Sequence, residues 1–191
     1  MSENQYQIIL DEVRQNYASV VWAHKVQEKQ SDIYLNRYKW IEIINILAGS
    51  LTSCGIITTI FIDTLVMKII TAVLSFITIF IAAYYKSFDL KELQKNHKSA
   101  ANHFIVERNN LLHVISDLHL MKKSPCEIQQ VYEEIMDRVN ELYVNAPATS
   151  NEALTKAEKS LRVNKEYTYS DEEIDKYLPE SLKGRIKTEK V

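Results

Sequence analysis

Two long apolar runs separated by a very short turn dominate the pattern of hydrophobic and polar positions along this chain. The runs extend from Ile43 to Ile62 and from Leu65 to Tyr85, with only Asp63 and Thr64 between them. Each is close to the ~20 residues that a helix needs to cross the ~30 Å core of a bilayer. A core hairpin of a soluble bundle is the alternative, but such helices usually keep one polar face. The pattern therefore predicts a transmembrane helical hairpin.

Helical periodicity continues on both sides of this hairpin. Apolar or aromatic residues recur at three- and four-residue steps before it (Tyr6, Ile9, Val13, Tyr17, Val20, His24) and, in a pattern that starts at Phe88, after it (Leu90, Leu93, His97, Phe104, Leu111, Ile115, Leu118). From Gln27 to Tyr38 the sequence is more polar, which predicts a looser or more exposed stretch. The first helix is expected to run directly into the hairpin, and the two flanking helices to pair as an antiparallel stalk.

A third helix is marked by its ends. Ser124, Pro125 and Glu127 form the pattern of a capping box with proline at the first helical position. The helix is expected to end near Asn145, because Pro147 disfavours helical geometry in the residue before it. Its apolar face (Ile128, Val131, Ile135, Val139, Leu142) should pack back against the stalk.

The last quarter of the chain is more polar. A short helix from about Asn151 to Asn164 has few large apolar residues, and a capping-box pattern from Ser170 to Glu173 starts another short helix that stops at Pro179. We therefore predict four regions. They are an N-terminal cytoplasmic amphipathic helix (1–40), the hairpin (41–85), a cytoplasmic helical bundle (86–145), and a linker with a polar tail that docks or is partly disordered (146–191).

Composition and charge extend this picture. With three glycines and three prolines in 191 residues, the chain has little turn or strand punctuation, so an all-α membrane protein is expected. Basic residues stand on both sides of the hairpin (Lys25, Lys29, Arg37, Lys39 and Lys86, Lys91, Lys95, Lys98), whereas its tip offers only Asp63 and Lys68. The positive-inside rule therefore places both termini in the cytoplasm.

Several classes of function lack support in the sequence. A net charge of -2 without a concentrated basic face argues against nucleic acid as the main partner. The five histidines form no metal-binding motif, and no glycine-rich phosphate loop is present. Cys54 and Cys126 have neither disulfide nor metal-ligand spacing. We therefore expect no catalytic residues, no metal and no cofactor, and a membrane enzyme is the least favoured hypothesis.

Polar and small residues of the first apolar run share one helical face. An arc of about 120° holds Glu42, Asn45, Gly49, Thr52, Ser53, Ile56 and Thr59. In one interpretation, this polar stripe lines a path through an oligomer, with Glu42 at the mouth and Ile56 as an apolar constriction. In the other, its small and hydroxyl residues are helix–helix contacts. The second run is plainer, and its Thr71, Ser75 and Thr78 are expected to face the first helix.

The predicted chain begins with an amphipathic helix, continues into a two-span hairpin with almost no loop, and leaves the hairpin in a long helix after Tyr84, Tyr85 and Lys86. This arrangement resembles the SLATT family, the two-transmembrane effector domains associated with SMODS nucleotide synthetases and SLOG sensors. The resemblance covers roughly residues 1–142. It implies an effector of a bacterial conflict or anti-phage system, located in the inner membrane, that oligomerises and permeabilises the bilayer. The expected signal is a nucleotide or a cytoplasmic sensor protein.

A non-conducting, membrane-anchored scaffold is the alternative function. Its cytoplasmic helices and tail would recruit a partner, and the hairpin would serve only as an anchor. This hypothesis predicts expression without toxicity, and function retained when an unrelated hairpin replaces the native one.

Overall fold

Helices account for nearly all of the chain that the structure, a computed structural model, describes: residues 2–61, 64–167 and 170–177. Their bounds are α1 Ser2–Phe61, α2 Leu65–Ser87, α3 Leu90–Leu120, α4 Pro125–Asn145 and α5 Asn151–Glu158, then a π-helical turn Lys159–Val163 and α6 Asp171–Asp175. No strand occurs in these ranges, so the all-α prediction is confirmed for the described residues. The predicted turn at Asp63 and the stop at Pro179 lie outside them.

The first helix is one uninterrupted element of 60 residues. No glycine or proline occurs before Gly49, so nothing in the backbone chemistry ends the helix before it enters the first apolar run. At 1.5 Å per residue it is roughly 90 Å long. The prediction that the N-terminal amphipathic helix continues directly into the hairpin is confirmed.

The main hydrophobic core lies between the polar half of α1, α3 and α4. Its buried members are Ile9, Val13 and Val20 of α1, Phe104, Leu111, Val114 and Leu118 of α3, and Ile128, Tyr132, Ile135 and Val139 of α4. The start of α1 lies beside the end of α3, where the Tyr6 hydroxyl donates to the Lys123 carbonyl at 2.7 Å. Further along, the Ser31 hydroxyl donates to the Gln94 carbonyl at 3.2 Å. The order of these contacts makes α1 and α3 antiparallel.

A break between α2 and α3 interrupts the helical pattern that was predicted to start at Phe88. The Phe88 backbone is extended (φ -127°, ψ 94°), and its N–H donates to the Tyr84 carbonyl as the cap of α2. Asp89 then begins α3, since its carboxylate accepts from the backbone N–H of Glu92 at 2.9 Å. An aspartate N-cap with glutamate three residues later is a strong helix start, and it favours a new helix over continuation.

The ends of α4 agree with the sequence. The Ser124 hydroxyl accepts from the Glu127 N–H, and the Glu127 carboxylate accepts from the Ser124 N–H, so the predicted capping box is present with Pro125 inside it. The helix ends at Asn145, and Ala146 is extended. On its predicted apolar face Val131 is exposed, whereas Tyr132, which was not on that face, is buried.

The C-terminal segment lies along α1. Ala153 and Ala157 of α5 are fully buried against Val26 and Ile33 of α1, with Trp22 beside them. The small side chains, not the larger Leu154, form this contact, so two helices approach closely with little apolar area. We call residues 146–167 the C-terminal strap. The predicted capping box from Ser170 to Glu173 is also present, and it begins α6.

Candidate functional site

The hairpin formed by residues 43–61 and α2 carries its large apolar side chains on the outside. Both arms are long and apolar enough to cross a membrane. Exposed side chains include Ile43, Ile46, Leu47, Leu51, Ile57 and Ile60 on α1 and Leu65, Ile69, Val73, Phe76, Ile79 and Phe80 on α2. A water-soluble monomer rarely exposes more than a few hundred Å² of contiguous apolar surface. This surface therefore suits lipid.

Small residues bring the two arms of the hairpin together. Ala48 on α1 is buried, and Gly55 lies so close to α2 that a Cβ atom added to it would be 2.5 Å from Thr71 Oγ1. Close backbone approach at small residues is how membrane helices gain packing, since lipid gives them no hydrophobic drive to associate. We call this contact the seam. Thr71, Ser75 and Thr78 are all half-buried, and Thr71 meets α1 as predicted.

The predicted polar stripe lies partly in the seam and partly outside it. Asn45, Thr52 and Thr59 are half-buried and share the helical face of Ala48 and Gly55, which directs them toward α2. The remaining members of the stripe point away from α2: Glu42, Ser53 and Ile56 are exposed, and a Cβ atom on Gly49 would have nothing within 4 Å. A single hairpin thus does not gather the stripe around one path.

The hydroxyl groups of the stripe donate hydrogen bonds to backbone carbonyls of their own helix. Thr52 donates to the Ala48 carbonyl at 2.8 Å, Ser53 to the Gly49 carbonyl at 3.0 Å, and Thr59 to the Ile56 carbonyl at 2.8 Å. Such bonds hide the donor from lipid and leave the oxygen able to accept another hydrogen bond. They are compatible with both a pore lining and a helix contact.

Asn45 differs from these hydroxyl residues. Its Oδ1 atom is buried and has no hydrogen-bond partner among the described residues. A buried acceptor without a partner costs roughly 1–3 kcal/mol. Asn45 therefore marks the seam as the part of the hairpin where a polar group has most to gain from rearrangement.

A second polar site lies on α1 from His24 to Ile33, outside the hairpin. We call it the polar strip, and it shares no residue with the polar stripe at 42–59. The prediction that residues from Gln27 onward are looser or more exposed is wrong for its first half, because Gln27, Gln30, Ser31 and Ile33 are buried in an intact helix. Asp32, Asn36 and Arg37 remain exposed. The helix is covered here by α3 on one side and by the C-terminal strap on the other.

Glutamines of the polar strip bond to the strap and to α3. Gln30 Oε1 accepts from both the backbone N–H (2.8 Å) and the hydroxyl (2.7 Å) of Ser150, at the start of α5. Gln27 Nε2 donates to the Pro147 carbonyl at 2.9 Å, and its Oε1 lies 2.6 Å from His97 Nδ1. Because these side chains are buried, loss of their hydrogen-bond partners would lower the stability of the fold.

Lys25 is the charged centre of the polar strip. Its side chain is only 2% exposed, and Nζ donates to Glu28 (2.5 Å), Glu166 (2.6 Å) and the Tyr167 hydroxyl (2.9 Å). Burial lowers the pKa of the ammonium, but these hydrogen bonds outweigh it and raise the pKa overall. In turn, hydrogen bonds from Lys25 and Ser160 lower the pKa of Glu166 to about 2. The group is therefore a fully charged cluster at neutral pH.

His24 lies beside this cluster with its ring buried and its Nδ1 atom without a hydrogen-bond partner among the described residues. Burial lowers its pKa to about 4. Arg108, Lys25 and Lys98 lower the pKa further, and Glu28 opposes them. The imidazole is therefore neutral at physiological pH.

The sequence did contain a signal for the polar strip. His24, Gln27 and Ser31 continue the helical spacing of the buried Val20, so polar residues occupy the face that is apolar earlier in α1. Polar side chains on a core-facing stripe indicate a neighbour with polar groups of its own. Two neighbours supply those groups: α3, through Gln94 and His97, and the strap, through contacts between residues more than 100 apart in sequence.

Metal-ligating side chains do not cluster in the described part of the chain, where no group of three or more could hold an ion. The five histidines of the sequence are among the described residues, and two of them, His24 and His97, are buried.

A comparison with family models gives a match over most of the chain. Residues 9–173 match the model described as SMODS and SLOG-associating 2TM effector domain family 4. The chain therefore belongs to this SLATT family, and the suspected resemblance is confirmed. The match extends beyond Leu142, where the resemblance seen in the sequence ends, and includes the whole C-terminal strap. Neither curated proteins nor solved structures gave a match.

Family membership and the two exposed apolar arms together indicate a membrane protein, in which these arms are the two candidate spans. The family description also makes it an effector domain of the kind associated with conflict systems. The strap packs against the part of α1 that precedes the hairpin, and the polar stripe lies on the first arm of the hairpin.

Proposed function

We propose that this protein is an effector of a bacterial anti-phage or conflict system that oligomerises in the inner membrane and permeabilises it when a signal arrives. It acts without catalytic chemistry of its own, and both termini lie in the cytoplasm. The carrying observation is the outer edge of the polar stripe: Glu42 and Ser53 are exposed on a hairpin whose other exposed side chains are mostly apolar. The oxygens of these side chains can still accept hydrogen bonds, which lipid cannot donate and other copies of the chain can.

The two edges of the stripe suit two stages of assembly. The outer edge, with Gly49 open to a close neighbour, suits contact between copies in a resting oligomer. The seam edge, with Asn45 and Thr52, faces water only after α1 rotates away from α2. The unpartnered Asn45 oxygen favours such a rotation, because water or another copy would supply its missing hydrogen bond.

Leakage of a dye from cells that express the intact protein, measured after phage infection so that the signal is present, tests the proposal. Replacing both seam residues (Asn45→Leu with Thr52→Leu) should reduce leakage at least tenfold, because the polar lining is lost. Ser50→Leu with Thr58→Leu is the matched control, since these hydroxyls also bond to their own helix but lie off the stripe. Equal leakage from the seam variant and the unmodified protein would contradict the lining.

A non-conducting scaffold is the second candidate, favoured by the closed seam. On this proposal the bundle recruits a cytoplasmic partner. Exchanging residues 43–85 for an unrelated two-span hairpin separates the two functions: a scaffold keeps its activity in cells, whereas a permeabilising effector loses it. The activating signal, a nucleotide or a sensor protein, is part of the proposal in either case.

A further inference from the structure

We infer that residues 159–167, the end of the C-terminal strap, act as an autoinhibitory latch that holds α1 in its resting position. This inference rests on the proposed function, because it names how the hairpin is kept closed. The latch comprises the π-helical turn Lys159–Val163 and the four residues that follow it. It contacts α1 at Lys25, on the helix that continues unbroken into the membrane.

The anchor of the latch is a buried charge rather than an apolar contact. Lys25 can stay buried because Glu166 and Tyr167 supply two of its three hydrogen bonds. The Tyr167 hydroxyl also donates to Glu28 at 3.0 Å, and Ser160 donates to Glu166 at 2.9 Å. Removing one partner of such a group weakens the rest, because the remaining charges are left incompletely paired.

Apolar packing adds little to this anchor. Ser160 is the buried residue of the π-helical turn, Leu161 is half-buried, and Val163 is 70% exposed. A contact that depends on a few polar bonds separates more readily than one with a large apolar area, since water can replace the lost hydrogen bonds. The latch is therefore built to detach while the main core stays folded.

The backbone of the latch is strained where it meets Lys25. Lys165 (φ 50°) and Tyr167 (φ 71°) are both in the left-handed region, which is unfavourable for side chains with a Cβ atom. Strained residues persist only when their surroundings hold them, and they are frequent in switches. Detachment of the latch would relax both residues, which favours the open state once the Lys25 bonds break.

Tyr167 connects the latch to α3 as well as to α1. Its ring lies 5.4 Å from the His24 ring of α1 and 4.9 Å from the Arg108 guanidinium of α3, measured to the ring centroid. The closed latch thus restrains the two helices that flank the hairpin. Rotation of the part of α1 beyond Val20, which would bring Asn45 and Thr52 out of the seam while the main core stays folded, requires these contacts to break.

The test uses the full chain in liposomes and measures the latch and the hairpin separately. Glu166→Gln removes the charge on the exposed side of the contact and leaves the core untouched. Amide hydrogen exchange in residues 159–167 reports release of the latch. An environment-sensitive fluorophore on the native Cys54, in a Cys126→Ser background, reports movement of the hairpin. Arg37→Gln is the matched control, because it removes an exposed ion pair (3.1 Å to Glu152) between the same helix and the strap.

We expect about tenfold faster exchange of the latch in Glu166→Gln, a changed Cys54 signal, and at least severalfold more leakage, with none of these in Arg37→Gln. Glu166→Asp, which keeps the charge, should restore most of the exchange protection. Unchanged exchange, or fast exchange with an unchanged Cys54 signal, would overturn the latch. A changed Cys54 signal without leakage from any variant would uphold the latch and contradict the permeabilising function instead.

Discussion

The two halves of α1 invert the usual relation between polarity and burial. In the polar strip, Lys25 and Gln30 are each 2% exposed, whereas Leu51 in the apolar half is 55% exposed. Both halves belong to one unbroken helix of the same chain. The difference teaches that the helix serves two solvents: protein and water surround its first half, and lipid suits its second.

The same contrast appears in how each half meets its neighbours. The polar strip uses long side chains that reach main-chain and charged groups of the strap, as in the bonds from Gln30 to Ser150. The apolar half meets α2 where a residue has no side chain, as at Gly55, which allows the backbone to approach Thr71 closely. Directional hydrogen bonds fix the register of the strap on the polar strip, and close backbone approach stabilises the seam between the two arms of the hairpin.

The largest expected effect comes from placing a charge on the lipid-facing surface. Leu51→Arg should cost about 3 kcal/mol of membrane insertion, because position 51 is near the middle of the first apolar run. Leu112→Arg is the matched control: this leucine of α3 is similarly exposed at 49%, but outside the hairpin. Membrane fractionation and alkaline extraction measure the result. Equal retention of both variants in the membrane would contradict the two-solvent interpretation.

The sequence predicted the parts of this fold that depend on local rules. The apolar runs, the capping box at Ser124 and the end of α4 at Asn145 follow from side chains within a few residues of the feature. The break at Asp89 could also have been predicted from its spacing to Glu92, but the apolar periodicity across it favoured continuity. Local signals were therefore sufficient to predict these elements, although at Asp89 the capping pattern and the apolar periodicity favoured different outcomes.

Contacts between distant segments could not be predicted in the same way. Burial of the polar strip depends on Pro147, Ser150 and Glu166, each more than 100 residues from its partner in α1. Likewise, helical periodicity gathered the polar stripe on one arc, but it did not indicate which edge would face α2. That choice depends on Ala48 and Gly55, which allow the closest approach.

A smaller effect is expected from filling the seam. Gly55→Ala should destabilise the hairpin by about 2 kcal/mol, because the new methyl group would overlap Thr71 and force the arms apart. Gly49→Ala, on the outer edge, meets nothing within 4 Å and should be neutral or slightly stabilising in the single chain. Thermal unfolding in detergent micelles compares the two. A larger loss at Gly49 would place the seam on the wrong face of α1.

The smallest effect concerns the pH dependence of the polar strip. Since the pKa of His24 is lowered to about 4 from an unfolded value near 6.5, the unfolded chain binds the proton more readily. Stability is therefore complete above about pH 6.5 and falls as the pH decreases toward 4. Between pH 7.5 and 5 we expect a loss of roughly 1–2 kcal/mol from this residue.

Urea unfolding of the detergent-solubilised protein at several pH values measures this slope, which His24→Gln should reduce. The slope should not vanish, because burial also lowers the pKa of His97. Lys25, Glu28, Lys98, Arg108 and Tyr167 face His24. Across this range Lys25 and Tyr167, whose pKa values are raised, and Glu28, whose pKa is lowered, keep their charge states. Glu166, with a pKa of about 2, adds pH dependence mainly below pH 4.5. His113→Gln, at an exposed position of α3, is the control that should leave the slope unchanged. If His24→Gln also leaves it unchanged, the imidazole is solvated, and the polar strip is more open at this point than the contacts of α1 with the strap imply.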